Sequence, residues 1–182
     1  MRKIIDLALT FVGYKESPAG SNRTKFGEWF GLNGESWCGI FVSYCYAHCG
    51  VALGSIDYRL GFAGCPYAVK AVTDPLFMKA NPKKVWGKVI TLDQAKPSDI
   101  VFFDWQGDGK WDHVALFKER TKEGFVTIDG NTGVLDASNG GEVMIRHNVY
   151  KNLAGARLLG VKCKIVIVRA NVIDALPPEM AA

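Results

Sequence analysis

Cys38 is the residue of this sequence best placed to act as a nucleophile. It sits just inside a run, Trp37 to Cys49, that is apolar almost all round, and a helix apolar on every face is a buried one. A thiol at the start of such a helix lies among backbone N–H groups that lack helical partners, at the positive end of the helix dipole. Both favour the thiolate, and the same N–H groups can hold an oxyanion. The competing reading is a small core hydrophobe, the common fate of a cysteine outside a disulfide. Cys45, Cys49 and Cys65 lack the helix-start setting and read as core.

A nucleophilic thiol needs a base, and the chain has three histidines. His48 stands ten residues along the same helix, ~15 Å from Cys38 along the axis, out of hydrogen-bond reach. His147 follows the Asn139-Gly140-Gly141 turn with no convergent partner. His113 differs. It begins a strand in which Val114 and Leu116 are core-type, and Val126 and Ile128 match them on the next strand. His113, Ala115 and Phe117 then share the other face with Phe125, Thr127, Asp129 and Asn131. A hairpin through Glu119 to Glu123 sets His113 opposite Asp129 in one register and opposite Asn131 after a two-residue shift, the first being slightly favoured. Cross-strand Cβ atoms lie ~5 Å apart, within reach of an imidazole–carboxylate hydrogen bond. Thiol, histidine and polar orienter form the set that acyl transfer requires.

The elements that would position these groups divide the chain in two. The first half reads helical: an opening amphipathic helix with Ile4, Ile5, Ala8, Leu9 and Val12 on one stripe, ending near Gly13. A short helix from Thr24 to Phe30 is closed by Gly31. The buried helix from Trp37 is capped by Ser36 and ended by Gly50, and a further helix runs from Pro66 towards Thr73. The second half reads as strands over 99–103, 113–118, 124–129, 142–146 and 164–169. Helices followed by an antiparallel sheet predict an α+β domain over residues 1–170, with 171–182 as a tail that is disordered from Leu176.

Other features carry less chemistry. Asp104-Trp105-Gln106-Gly107-Asp108-Gly109 imitates the first half of an EF-hand loop, but Ala115 stands where the closing acid belongs. A Gly-rich turn leading into His113 fits better than a calcium site. Cys45, His48 and Cys49 lack a fourth ligand for zinc, so no metal or cofactor is expected. Trp29, Trp37, Trp105 and Trp111 could line a groove or pack the core.

With 182 residues, 48% of them hydrophobic and 22% charged, the chain is an ordinary globular domain rather than a disordered or fibrous one. Its 22 Lys and Arg are scattered and the net charge is +4. No nucleic-acid patch is visible, while an anionic polymer is a compatible partner. Five cysteines, an odd number, exclude a complete disulfide framework. The amino end fits an amphipathic helix better than a signal peptide because Asp6 breaks its apolar run. No apolar stretch reaches the ~18 residues of a membrane span. A soluble monomer made in the cytoplasm is the expectation.

Ser36-Trp37-Cys38-Gly39-Ile40-Phe41-Val42-Ser43 resembles the nucleophile segment of CHAP domains, the cysteine, histidine-dependent amidohydrolases/peptidases. Asp112-His113-Val114-Ala115 and Ile128-Asp129-Gly130-Asn131-Thr132 are similar to that family's His and acid/amide segments. Gly13-Tyr14-Lys15-Glu16-Ser17 and 21–27 resemble the lead-in of phage-type members, and 97–103 the strand before the His. The likeness covers residues 3 to 132 in order and is weak beyond Asn139. Asp129 stands where many members have Glu. The resemblance implies a papain-like fold, with the nucleophile at the start of a buried helix packed on an antiparallel sheet. It implies Cys38 as nucleophile, His113 as base, and Asp129 and Asn131 as the orienting pair. The implied substrate is an amide bond of bacterial peptidoglycan, cut without a cofactor. The implied setting is a phage endolysin, made in the host cytoplasm and acting at the wall. A cysteine peptidase or amidase acting on a non-wall amide, or a non-catalytic phage structural or binding module, are the alternatives.

Overall fold

The computed structural model describes residues 3–51, 53, 61–136, 139–149 and 163–171. Among them are five α-helices: α1 (Ile4–Leu9), α2 (Lys25–Phe30), α3 (Cys38–Ala47), α4 (Cys65–Thr73) and α5 (Pro75–Ala80). Six strands follow: β1 (Gly87–Ile90), β2 (Ile100–Asp104), β3 (His113–Arg120), β4 (Gly124–Thr132), β5 (Glu142–Val149) and β6 (Lys164–Ala170). They form one antiparallel sheet in the order β1-β6-β2-β3-β4-β5. The α+β class expected from the sequence is the class observed.

Local chemistry explains most boundaries. Thr24 caps α2, its hydroxyl oxygen accepting from Gly27 N at 3.0 Å, and Gly31 ends it in the left-handed region at φ 83°. In α3 every residue but Tyr44 is buried, as an all-round apolar helix requires. It packs on β3 and β4, where Phe41 and Ile40 meet Val114, Leu116 and Ile128. Each such side chain contributes about 1.5–3 kcal/mol on burial. Tyr46 Oη donates to Ser98 O at 2.6 Å, tying α3 to the entry of β2. Arg169 on β6 grips Asp99 with Nε on Oδ1 at 3.0 Å and Nη2 on Oδ2 at 2.7 Å.

Several expectations need correction. In α1 the buried residues are Ile5, Leu7 and Ala8, while Leu9 and Val12 are exposed. The helix stops at Leu9, too short to carry a stripe to Val12. Ser36 does not cap α3; Trp37 holds the N-cap position, with no side-chain cap bond. Helix α5 and strand β1 were not foreseen. Strand β1 is a four-residue edge strand of Gly87-Lys88-Val89-Ile90 with two exposed residues, too short for a periodic signal. The face of the sheet shared by Ala115 and Phe117 is also apolar, closed by Val101, Phe103, Phe125 and Ile167. Asn171, expected to open the tail, is still fastened, its N–H donating to Trp86 O at 2.8 Å. The rest of that tail lies outside the described residues.

The register between β3 and β4 also departs from expectation. Ala115 pairs with Asp129, Leu116 with Ile128 and Phe117 with Thr127. A bulge between Phe117 and Glu119 then shifts the pairing, so that Glu119 faces Val126. The strands run on to Arg120 and Gly124, where Thr121 N donates to Gly124 O at 2.9 Å. The hairpin is therefore tighter than a Glu119–Glu123 loop. Continued to the strand start, this register sets His113 opposite Asn131.

Candidate active site

Cys38 is the first residue of α3, and the chain around it explains why that helix starts there. The indole of Trp37 is fully buried. It stacks on Phe26 with ring centroids 5.5 Å apart, and its Nε1 donates to Glu16 Oε2 at 3.3 Å. This anchors the backbone one residue before the thiol. Gly39 allows a second close approach: a Cβ there would lie 2.4 Å from Ala63 O. Ser43, one turn on, fastens the same neighbouring segment. Its hydroxyl donates to Phe62 O at 2.8 Å and accepts from Phe62 N at 3.0 Å. The segment 61–64 is thus laid along α3 and delivers Cys65, first residue of α4, to the nucleophile. The two sulfurs are 3.9 Å apart.

The sequence reads Cys65 as core, yet it stands at a helix start. The signal was present, because Pro66 in the first turn marks the helix boundary immediately before it.

His113 opens β3 opposite Phe103 of β2 and is fully buried. Its Nε2 lies 3.0 Å from Asp129 Oδ2, donating to a carboxylate that is itself buried. The other carboxylate oxygen, Oδ1, accepts from the Thr127 hydroxyl, and Thr127 Oγ1 accepts from Asn148 Nδ2 at 2.9 Å. A chain of donors thus runs Asn148 to Thr127 to Asp129, holding the acid that holds the imidazole. Thr127 shares the parity of Asp129 and was placed on the His113 face. Its part in the chain was missed because hydroxyls that merely fill a strand face look the same in sequence. With Nε2 occupied, Nδ1 is the ring nitrogen left for the thiol, and it has no other hydrogen-bond partner.

The electrostatics follow from these contacts. The Cys65 thiol beside it holds Cys38 well below the usual thiol range. Burial opposes this, and the His113 imidazole and the Gly39 N–H add to the lowering. Burial pulls His113 down, but the hydrogen bond to Asp129 and the charge of Cys38 outweigh it and lift the imidazole to about 9. Both shifts favour the thiolate–imidazolium pair. Cys65 moves the other way, its thiol pushed up by the Cys38 contact, burial and the nearby charge of Asp112. It is a neutral S–H donor facing a thiolate. The arrangement can attack a carbonyl, protonate a leaving group and hold the imidazole in one tautomer.

Asn131, expected as half of the orienting pair, is engaged elsewhere. It adopts φ 57° at a register irregularity between β4 and β5. Its Nδ2 donates to Asn139 Oδ1 at 3.0 Å, and its carbonyl accepts from Gly140 N at 3.2 Å. The residue pins the turn after β4. His48 stacks on Tyr44 at 3.7 Å, its Nδ1 on Tyr44 O at 3.0 Å, and His147 is exposed on β5.

The Asp104 loop is a closed turn. The buried Asp104 carboxylate accepts from Gly107 N, Asp108 N and Gly109 N at 2.6, 3.1 and 2.8 Å. Asp112 Oδ2 accepts from Trp105 N at 2.8 Å. The acids that would ligate calcium are saturated by backbone donors, and this is the turn that leads into His113. Among the described residues no group of three or more His, Cys, Asp or Glu side chains is arranged to hold a metal. Of the four tryptophans proposed for a groove, Trp37 is fully buried in the core. Trp29 packs on Tyr44 at 5.2 Å and Trp105 stacks on Phe103 at 4.5 Å. Trp111 is half-buried against the main core, two residues before His113.

No protein-family model matches the chain, and no curated protein does. Among solved structures it is similar to RipD from Mycobacterium tuberculosis, described as a non-catalytic NlpC/p60 domain protein adapted to a peptidoglycan-binding function. The two are 16% identical, with 93% of this chain and 98% of that one covered, at a TM-score of 0.41.

Proposed function

We propose that this protein is a peptidoglycan hydrolase that cuts an amide bond of the wall peptide through a thioester on Cys38. The observation that carries the reading is the buried His113–Asp129 pair, 3.0 Å apart, acting on a thiol at the start of α3 that is held as thiolate. The resemblance of the Cys38, His113 and Asp129 segments to CHAP domains supplies the substrate class and the setting of a phage lysis enzyme. A net charge of +4 suits an anionic wall polymer.

In this reaction the Cys38 thiolate attacks the amide carbonyl, and backbone N–H groups at the start of α3 receive the oxyanion. The His113 imidazolium gives its proton to the leaving amine as the C–N bond breaks, leaving an acyl-thioester and neutral imidazole. The imidazole then takes a proton from water as the oxygen attacks the thioester. The acid product departs, and thiolate and imidazolium are restored. Asp129 keeps Nε2 protonated and Nδ1 directed at the chemistry.

The test is digestion of purified sacculi with mass spectrometry of the released fragments, which also identifies the bond. Wild-type protein releases peptide fragments, and Cys38→Ala, shown to be folded by a cooperative thermal transition, releases none. Iodoacetamide labels Cys38 fastest of the five thiols and abolishes release. A lytic Cys38→Ala protein would end the covalent mechanism. A wild-type protein that binds sacculi without cutting them would make the chain a binding module.

A further inference from the structure

No bond is made or broken at Cys65 in the hydrolytic reaction, yet the fold goes to some length to bring it to the nucleophile. Ser43 makes two hydrogen bonds to Phe62. Gly39 and Gly61 each lack the Cβ that would strike Ala63 O or Ser43 Oγ, at 2.4 Å in both cases. The result is two thiols, each the first residue of its helix, both buried, with sulfurs 3.9 Å apart. A disulfide needs about 2.05 Å between sulfurs, so the two must approach by about 1.9 Å from their present 3.9 Å. We propose that Cys38 and Cys65 are a redox couple, and that a hydroperoxide converts them to a reversible disulfide that silences the nucleophile and spares it from irreversible oxidation. This rests on the reading of Cys38 as the reactive thiolate.

The chemistry balances in two steps. The Cys38 thiolate attacks one oxygen of the hydroperoxide and the O–O bond breaks. The departing oxygen takes the proton of the His113 imidazolium, leaving water or an alcohol, with Cys38 as sulfenic acid. The Cys65 sulfur then attacks the Cys38 sulfur. The S–O bond breaks, the sulfenic oxygen leaves as water with the Cys65 proton, and the S–S bond forms. A dithiol such as dithiothreitol reverses this by exchange and is itself oxidised. The neighbouring thiol decides the outcome, because a sulfenic acid without one goes on to sulfinic acid. Cys45 does not compete as the reacting thiol, since burial first, and the neighbouring Cys49 second, push its pKa well up and keep it protonated.

The experiment uses the full chain, hydrogen peroxide as probe, and intact-mass and peptide mapping under non-reducing conditions. Wild-type protein becomes two hydrogens lighter, a Cys38–Cys65 cross-linked peptide is recovered, and alkylatable thiols fall from five to three, the two in the bridge being lost. Dithiothreitol restores all of them. In Cys65→Ser and Cys65→Ala the mass does not fall; Cys38 instead gains two oxygens, and the reductant does not reverse it. Recovery of Cys38 as sulfinic acid with Cys65 unmodified in wild-type protein, or a bridge between any other pair, overturns the proposal. None of these readouts needs a wall substrate, so a failure of hydrolysis is separate from a failure of the couple.

Discussion

Asp129 pairs across the sheet with Ala115, yet its carboxylate binds the imidazole of His113, two residues back along β3. The contact is a diagonal one. Such neighbours lie ~7–8 Å apart at the backbone, within reach of a long side chain. The position that the same register, continued, would set across from His113 is Asn131, whose Nδ2 donates to Asn139. Pairing and chemistry are therefore offset by two residues.

That offset separates the roles of the two β4 residues. Asp129→Ala is expected to lose about 10–100-fold in kcat, the value of a hydrogen bond to a charged group. His113→Ala should lose ~10²–10⁴-fold, as for removal of a general acid–base. Asn131→Ala should keep near-wild-type kcat and lower the melting temperature instead, since it frees the 139–140 turn. Steady-state rates on variants of matched foldedness decide it. A larger kcat loss in Asn131→Ala than in Asp129→Ala would make the amide the orienter.

Thr127 acts through Asp129 rather than on substrate. Thr127→Val removes the hydroxyl that holds Oδ1 and strands Asn148 Nδ2. About 1 kcal/mol of lost orientation predicts a kcat several-fold lower with KM unchanged. Thr127→Ser restores the hydroxyl and should restore kcat. If valine and serine variants are equally impaired, the threonine serves packing alone.

The pH dependence follows from the ion pair. Activity should rise on the acid side as Cys38 deprotonates and fall through about 9 as the imidazolium loses its proton, two steps that belong to the coupled pair. Stability behaves differently. The raised His113 contributes stability that is complete below its unfolded value of 6.5 and lost as pH rises through about 9. The lowered Cys38 contributes stability that is complete above its unfolded value of 9.0 and lost as pH falls through its folded value. Between 6.5 and 9 the two slopes oppose, so the wild-type melting temperature should be nearly flat there. In Cys38→Ser the Cys38 slope is gone and the His113 slope shrinks, because Cys38 is part of what raises the imidazole, so the pH dependence of the melting temperature should differ from that of the wild type. Identical slopes in both proteins would show that the pair is not charged in the folded state.

The Asp104 turn is expected to behave as structure. Lytic activity should survive EGTA. Asp104→Ala, which removes the buried carboxylate that holds three N–H groups of the turn, should cost about 1.5–3 kcal/mol in urea unfolding, the value of hydrogen bonds to a charged group. Activity that collapses in EGTA and returns with calcium would make the loop a metal site.

How far the sequence carried these conclusions depended on how local each cause was. The helix boundary beside Cys38, the end of α2 at Gly31 and the opening of β3 at His113 come from neighbouring residues, and they were legible, although the cap expected at Ser36 is not made. The bulge beside Lys118 was not. One extra residue on a strand changes every pairing before it while leaving the alternation of Val114, Leu116, Val126 and Ile128 intact. The Asn148–Thr127–Asp129 chain crosses two strands joined by a turn whose register no spacing reveals. Cys65 was missed because its meaning lies in Ser43 and Gly39, which act on it from a different helix.

The sheet order places β6, the last described strand, between β1 and β2, with Arg169 clasping Asp99 there. Every other neighbouring pair in the sheet is closer in sequence than β1 and β2 are to β6. During synthesis, the helices and the β2-to-β5 ribbon can leave the ribosome and pack first, but β2 keeps an open edge and β1 has no partner until Lys164 to Ala170 has been made. Completion of the sheet is thereby tied to synthesis of β6. A chain broken off before Lys164 would expose the backbone of β2, Ile100 to Asp104, as an unpaired edge. Truncated copies are for that reason prone to pair with one another through that edge.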